Sequence, residues 1–255
     1  MREREPIFNL PPVIVVLLAI LTLIQVVRGM IPPELDGAIV ATFGFTPARV
    51  AFLFDQKAVL QHLNEIAGQS EVQAQIGAFF LTYASPSWLW FTPLSYAFLH
   101  GGATHLVFNG IWLAAFGSPV ARRFGTARFL LLGGLGAVVG AAAYLAAHPL
   151  ELAPMIGASA AISAYMGAAA RFVFPLRGPY RAETAFEAPM QSVGDMLASV
   201  QTMAFVAFWF LYNLLIGLGG QTLGFSQAPI AWQAHIGGFA AGLFLAPIFD
   251  QRRKK

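Results

Sequence analysis

Six stretches of the sequence are almost wholly apolar, and each approaches the roughly 20 residues that a bilayer-crossing helix needs. They cover residues 11–28, 104–120, 127–147, 159–175, 200–219 and 233–250. The first follows MREREP and is long, with no small-residue cleavage pattern after it, so we expect a retained helix and not a signal peptide. The pattern predicts an all-α polytopic membrane protein, a bundle of six transmembrane helices.

The segment between the first two predicted spans, residues 29–103, is long and of mixed polarity. Its amphipathic piece VLQHLNEIAGQ and its aromatic piece WLWFTPLSYAFLH, with Trp88 and Trp90, predict short helices that lie in the membrane interface. No internal repeat and no interdomain linker is evident. We therefore expect a single membrane domain over residues 1–255.

The charge pattern predicts the orientation of the chain. Of all residues, 57% are hydrophobic and only 11% are charged, whereas about a quarter of the residues in soluble domains are charged. With the N-terminus inside, twelve Lys and Arg residues fall in inner segments and three in outer ones, so the positive-inside rule predicts cytoplasmic termini. The outer three are Arg28, Arg49 and Lys57; the inner ones are Arg2, Arg4, Arg122, Arg123, Arg128, Arg171, Arg177, Arg181, Arg252, Arg253, Lys254 and Lys255.

Charge and cysteine content exclude other classes of function. The net charge of +3 is explained by topology and does not require nucleic acid as a partner. Cysteine is absent, so neither a disulfide framework nor a thiolate metal site is possible.

Polar residues at membrane depth are costly and therefore suggest function. His105 and Asn109 lie four residues apart on one face of the second span, Ser159 begins the fourth, and His235 opens the sixth. Three spans that run in the same direction bring these groups to one shallow level near the outer surface. Small residues on the sixth and fourth spans, which would let the two helices pack closely, are Gly238, Gly242 and Ala160.

Such a cluster could carry out acyl transfer, with a serine nucleophile and a histidine base. His235 is the candidate base for Ser159. The side chains of His105 and Asn109, with the backbone N–H of Ser159, are candidate donors to an oxyanion. Because all Asp and Glu residues lie in loops, tails or span ends, we expect a Ser/His dyad without a carboxylate.

Each of these residues alone also has a structural interpretation. Ser159 could be a helix cap, His235 an interfacial histidine, and Asn109 an interhelical hydrogen bond. GASAA is not the G-x-S-x-G elbow, since alanine replaces the last glycine and no strand precedes it. Together, at one depth, the residues favour catalysis. No metal site is expected from the remaining histidines, which lack carboxylates at ligand spacing: His62, His100 and His148.

Three motifs carry a family resemblance that covers about residues 88–250. They are His100-x4-His105-Leu106-x2-Asn109, Gly157-x-Ser159 and Ala234-His235-x2-Gly238. Because the motifs occur in this order and on these spans, the chain resembles the rhomboid intramembrane serine proteases.

The resemblance implies an activity and a set of roles. Ser159 would be the nucleophile, His235 the general base, and His105 and Asn109 the lining of the oxyanion hole. His100 would be a supporting residue. The substrates would be transmembrane helices of other membrane proteins, cut near the outer surface without metal, nucleotide or other cofactor.

The sequence departs from the family pattern at three places. Ala160 stands where glycine usually follows the serine, and Ser163 stands where some members have an aromatic residue that stacks on the base. The Trp-Arg pair that some members carry in the first outer loop is missing. We expect Ala160→Gly to leave activity unchanged or to raise it.

Two other functions stay open at this point. One is a catalytically inactive rhomboid-like protein that binds membrane-protein clients; retention of both Ser159 and His235 argues against it. The other is a small transporter or channel, whose polar residues should run through the bilayer midplane. We further expect substrate entry beside the fifth span, a lid formed by residues 220–232, and a bacterial plasma membrane; the oligomeric state is left open.

Overall fold

The computed structural model describes residues 9–174, 186–219 and 231–250. Within these ranges the chain is helical, and the one extended pairing is an antiparallel bridge between Phe45 and Met155. The α-helices are α1 (Pro12–Met30), α2 (Pro33–Phe43), α3 (Pro47–Phe52), α4 (Gln56–Gln69), α5 (Glu71–Thr82), α6 (Thr92–Ser95), α7 (Ala103–Trp112), α8 (Ser118–Phe124), α9 (Thr126–Ala147), α10 (Ser159–Ala169), α11 (Val193–Ala198), α12 (Val200–Gly219) and α13 (Trp232–Phe249).

The predicted all-α class is confirmed. Helices α1, α9, α10, α12 and α13 fall in five of the six predicted spans, and α7 with α8 occupies the second. Among the described residues, α1, α9 and α13 are long and apolar enough to cross a membrane, and α12 contributes a shorter apolar stretch. The count of six crossings stays a prediction.

The second predicted span is not one regular α-helix. A π-helical turn, Leu113–Gly117, joins α7 to α8. Pro119, in the first turn of α8, cannot donate a backbone hydrogen bond, which accounts for a change of helical geometry here. Gly117 closes the turn against α1, since a Cβ on it would lie 2.9 Å from Cδ1 of Ile14.

Helices α9 and α10 pack through small residues. A Cβ added to Gly136 of α9 would lie 2.4 Å from the Cβ of Ala164, and one added to Gly140 would lie 2.6 Å from the Cβ of Ala160. Carbon atoms at these distances overlap, so the absent side chains are what allows the two helices to approach. Helix α10 is buried along most of its length as a result.

The segment between α1 and α7 packs on the loop that leads into α10 and fixes its position. Phe45 and Met155 exchange two backbone hydrogen bonds of 3.0 and 2.8 Å, and the N–H of Ala48 donates to the carbonyl oxygen of Glu151 at 3.0 Å. Leu152 of the same loop packs in an apolar cluster with Ala48, Val59 of α4 and Leu81 of α5. The loop is thereby fixed by residues far away in the sequence.

A buried ion pair lies at the end of the bundle where α10 and α13 finish. Arg123 and Asp250 are 2.7 Å apart, and their side chains are 2% and 4% exposed. Arg123 also donates to the carbonyl oxygens of Phe186 and Ala188. The pair ties α8 to the end of α13 and to the segment that precedes α11.

Candidate active site

Ser159 and His235 are in hydrogen-bond contact. Ser159 is the first residue of α10, and His235 lies in the first turn of α13. The distance from Ser159 Oγ to His235 Nε2 is 2.7 Å. The two side chains come from segments 76 residues apart, and the contact is the one a serine nucleophile needs with its base.

Asn213 of α12 contacts the other ring nitrogen of the same histidine. Its Oδ1 is hydrogen-bonded to His235 Nδ1, and its Nδ2 donates to the carbonyl oxygen of Trp209 at 2.8 Å. No sequence motif identifies this residue. Asn213 is nevertheless a polar residue within the apolar span predicted over residues 200–219, and a polar side chain at membrane depth is costly.

Gly157 shapes the turn before the serine. Its φ of +126° is rarely adopted by residues with a side chain, and a Cβ there would lie 2.8 Å from the imidazole of His105. Its N–H donates to the carbonyl oxygen of Tyr96 at 3.0 Å, and Tyr96 in turn donates to the carbonyl oxygen of Ala137 at 2.9 Å. Glycine at this position allows the His105 ring to lie directly beside the serine loop.

His105 and Asn109 project from α7 towards this turn. Nδ1 of His105 accepts a hydrogen bond from the backbone N–H of Gly101 at 3.3 Å. Asn109 Nδ2 donates to the carbonyl oxygen of His105 at 2.9 Å. An amide nitrogen carries two hydrogens, so one donor of Asn109 is left over for another acceptor.

His100 lies behind His105 and does not line the cavity beside Ser159. It is 1% exposed, and its ring meets the ring of His105 edge to face at 5.1 Å. Burial, together with the nearby His105 and Arg28, lowers the pKa of His100 to about 3. Its carbonyl oxygen accepts from Arg28, which also pairs with Asp36 at 2.6 Å.

Three small residues bring the two site helices together. A Cβ on Gly238 would lie 2.1 Å from the carbonyl oxygen of Ala160, and one on Gly242 would lie 1.8 Å from that of Ala164. Ala160 itself is 1% exposed. Such close backbone contact brings His235, at the start of α13, level with Ser159, at the start of α10.

A cavity of about 780 Å³ opens beside the Ser159–His235 contact. His105, Asn109 and Asn213 line it near the serine. Its apolar wall continues between α7 and α12 and is rich in aromatic side chains: Phe108, Trp112, Phe116, Phe205, Phe208, Trp209 and Tyr212. The arrangement could accommodate an extended, largely apolar peptide with its backbone at the hydroxyl.

The other two histidines, His62 and His148, lie apart from Ser159 and each contacts a polar side chain. His148 Nε2 lies 2.7 Å from Gln233 Nε2, and His62 lies 3.7 Å from Glu65. Within residues 9–174, 186–219 and 231–250, no group of three His, Asp or Glu side chains could hold a metal ion. Of the expected lid at 220–232, residues 220–230 lie outside the described residues.

Comparisons with known proteins match most of the chain to one family. The model of the Rhomboid domain matches residues 87–252. The Rhomboid protease GluP of Bacillus subtilis is 28% identical over 157 residues, which are 62% of this chain and 25% of that protein. The chain thus spans about a quarter of the length of this curated relative. The family match and the apolar helices indicate a multi-pass membrane protein.

Proposed function

Because the chain belongs to the rhomboid family, we propose that it is a serine endopeptidase that cleaves transmembrane segments of other membrane proteins near the outer membrane surface. The observation that carries the proposal is the 2.7 Å contact between Ser159 Oγ and His235 Nε2 at the wall of a 780 Å³ cavity. That a relative is named a rhomboid protease supports it. A single membrane domain, residues 1–255, would contain all of the proposed site residues.

Ser159 attacks the scissile carbonyl carbon while His235 takes the hydroxyl proton at Nε2. The same imidazolium then gives the proton to the departing amine, and the acyl group stays on the serine oxygen. Water, deprotonated by His235, hydrolyses this ester and restores the free hydroxyl. No metal, nucleotide or other cofactor enters these steps.

The negative charge of the tetrahedral intermediate needs hydrogen-bond donors. Three groups near Ser159 can supply them: the second N–H of Asn109 Nδ2, the imidazole of His105, and the backbone N–H of Ser159. That last N–H lies in the first turn of α10, where helical N–H groups lack intrahelical acceptors. Gly157 gives the His105 ring the space to lie there.

The substrate helix enters between α7 and α12, the second and fifth predicted spans. Aromatic side chains make contacts here: Trp112 of α7 with Tyr212 of α12 at 6.3 Å, and Phe116 of the π-helical turn after α7 with Phe205 of α12 at 5.1 Å. Side chains can rotate aside more readily than tightly packed backbones can separate. A helical substrate must also unwind at the cleavage site, because its carbonyl groups are otherwise hydrogen-bonded within the helix.

The protein acts from a bacterial plasma membrane with both termini in the cytoplasm. The bias of twelve basic residues against three supports this orientation. With it, Ser159 and His235 lie near the outer surface, where water for the second half of the reaction is available. The bilayer and transmembrane substrates are its partners, and nucleic acid is not.

Cleavage of a generic transmembrane substrate in proteoliposomes tests the proposal. Wild type should cut it, and Ser159→Ala and His235→Ala should not. Ser118→Ala is a matched control, since Ser118 is also on a membrane helix but bonds the carbonyl oxygen of Ala114. A fluorophosphonate probe should label wild type and not Ser159→Ala. Full activity in Ser159→Ala would overturn the assignment; no cleavage and no labelling of wild type would favour the inactive, client-binding alternative.

A further inference from the structure

The side-chain amide of Asn213 has one chemically acceptable orientation. Its Nδ2 donates to the carbonyl oxygen of Trp209, four residues earlier on α12. Turning the amide over would bring Oδ1 against that carbonyl oxygen, and two acceptors repel each other. The oxygen Oδ1 is therefore the atom that faces His235 Nδ1.

This orientation determines which nitrogen of His235 carries the proton. An amide oxygen can only accept, so Nδ1 must be the donor in the contact with Asn213. In a neutral imidazole the other nitrogen, Nε2, then has a free lone pair. That lone pair faces Ser159 Oγ at 2.7 Å. The opposite tautomer would lose the bond to Asn213 and could not accept the serine proton.

We propose that Asn213 is a positioning residue, which holds His235 in the tautomer and ring orientation that take the proton from Ser159. The inference rests on the proposed function, because it concerns the base of that reaction. In Ser-His-Asp triads a buried carboxylate holds the histidine in the required tautomer and orientation. A neutral amide does it here without bringing a charge into an apolar helix, where charges are costly.

The contact also depends on how α12 packs against α13. Trp209, which accepts from Asn213, stacks on Phe239 of α13 at a ring distance of 4.4 Å. One turn of α12 thus supplies both the aromatic packing to α13 and the hydrogen bond to the histidine on it. Asn213 reaches His235 only while these two helices remain packed.

Substitutions at Asn213 test the proposal by separating turnover from binding. Asn213→Leu keeps a side chain of similar size but removes the acceptor, so kcat should fall roughly 10- to 100-fold with KM little changed. Asn213→Asp restores an acceptor oxygen and should recover most of the lost kcat. Leu215→Ala is the control on the same helix; its side chain is 58% exposed, and kcat should stay at the wild-type level.

The nitrogen NMR shifts of His235 give a readout that does not need cleavage. In Ser159→Ala protein labelled with ¹⁵N-histidine, His235 should be the Nδ1–H tautomer. In Ser159→Ala/Asn213→Leu it should become a mixture of tautomers. A purely structural role for Asn213 would lower the yield or the thermal unfolding midpoint and leave the tautomer unchanged.

Different experimental results would overturn this inference and the proposed function. If Ser159→Ala cleaves normally, the proposed function is wrong. If Ser159→Ala is inactive while Asn213→Leu has the kcat and the His235 tautomer of wild type, only the role of Asn213 is overturned. Loss of kcat in Asn213→Leu that Asn213→Asp does not recover, with an unchanged tautomer, would also overturn it.

Discussion

Ala160 of α10 and Gly140 of α9 fit each other. A Cβ on Gly140 would lie 2.6 Å from the Cβ of Ala160, so the methyl group of Ala160 occupies space that the missing side chain of Gly140 leaves free. Ala160 directly follows Ser159 and stands where the rhomboid pattern usually has glycine. The larger residue is therefore accommodated by its neighbour on α9, and nothing near Ser159 needs to shift for it.

Ala160→Gly should leave the cleavage rate unchanged or raise it. Removing the methyl group opens a small gap against Gly140 but touches neither Ser159 Oγ nor His235. Glycine inside a helix is less favourable than alanine by about 1 kcal/mol, so the thermal unfolding midpoint should drop slightly. Initial rates and unfolding midpoints in the same detergent would check both. A large loss of kcat would mean that the methyl group helps to hold the serine turn.

Gly140→Ala should be far more damaging. Its new Cβ would meet both the Cβ of Ala160 at 2.6 Å and the carbonyl oxygen of Ala234 at 2.8 Å. Ala160 directly follows Ser159 and Ala234 directly precedes His235. We therefore expect a loss of both activity and stability. Gly134→Ala on the same helix is the matched control, because its nearest neighbour would be Leu94 Cδ1 at 3.6 Å. Equal behaviour of the two variants in cleavage and thermal unfolding would contradict this account.

The sequence indicates which residues share a helix face but not every contact between helices. Ser159 and His235 could be paired from the sequence because each begins a span that runs in the same direction. Asn213 lies six residues before the end of its predicted span, 200–219, about as far from that end as Asn109 lies from the start of the span 104–120. No sequence motif marks Asn213, but the cost of a polar residue at membrane depth does. The bridge between Phe45 and Met155 has no side-chain signature, since backbone groups of any residue can form it.

Leu152→Ala should lower kcat although Leu152 does not line the cavity beside Ser159. The leucine is 5% exposed and packs so closely on α5 that a Cβ on Gly77 would lie 2.8 Å from its Cδ1. Truncating a buried leucine typically costs about 2 kcal/mol or more, and here it loosens the loop that ends at Ser159. We expect a lower unfolding midpoint and a lower kcat.

Leu60→Ala is the control for this change. Leu60 is on α4 and is 46% exposed, so its truncation leaves the loop before α10 untouched. Both variants should be measured for kcat, KM and thermal unfolding under one set of conditions. If Leu152→Ala loses stability but keeps the wild-type kcat, the loop does not need this packing to hold the serine.

His100 should make the fold sensitive to acid. Burial, with His105 and Arg28 nearby, lowers its pKa to about 3, against about 6.5 in an unfolded chain. Below pH 6.5 the unfolded chain binds a proton that the folded one does not, so this contribution to stability is lost as pH falls from about 6.5 towards 3. The unfolding midpoint of His100→Phe should therefore fall less between pH 7.5 and 5.0 than that of wild type. Parallel shifts in both proteins would exclude His100 as the source.

Asp250→Asn should destabilise the protein without changing the chemistry. Asp250 pairs with Arg123 at 2.7 Å, and both side chains are almost fully buried. Neutralising one partner leaves a buried guanidinium without its counter-charge, which costs about 3 kcal/mol or more. Asp250 follows His235 by 15 residues, so it lies about 22 Å along the helix axis from the base. The unfolding midpoint should drop clearly while kcat per folded molecule stays at the wild-type level.

Asp36→Asn is the comparison for this effect. Asp36 pairs with Arg28 at 2.6 Å, but its side chain is 33% exposed, and Arg28 keeps its bond to the carbonyl oxygen of His100. Solvent screens such a pair, so its loss should lower the unfolding midpoint less than the loss of Asp250 does. A midpoint for Asp250→Asn at or above that of Asp36→Asn would show that the buried pair contributes little. A selective loss of kcat in Asp250→Asn would instead reveal coupling between the two ends of α13.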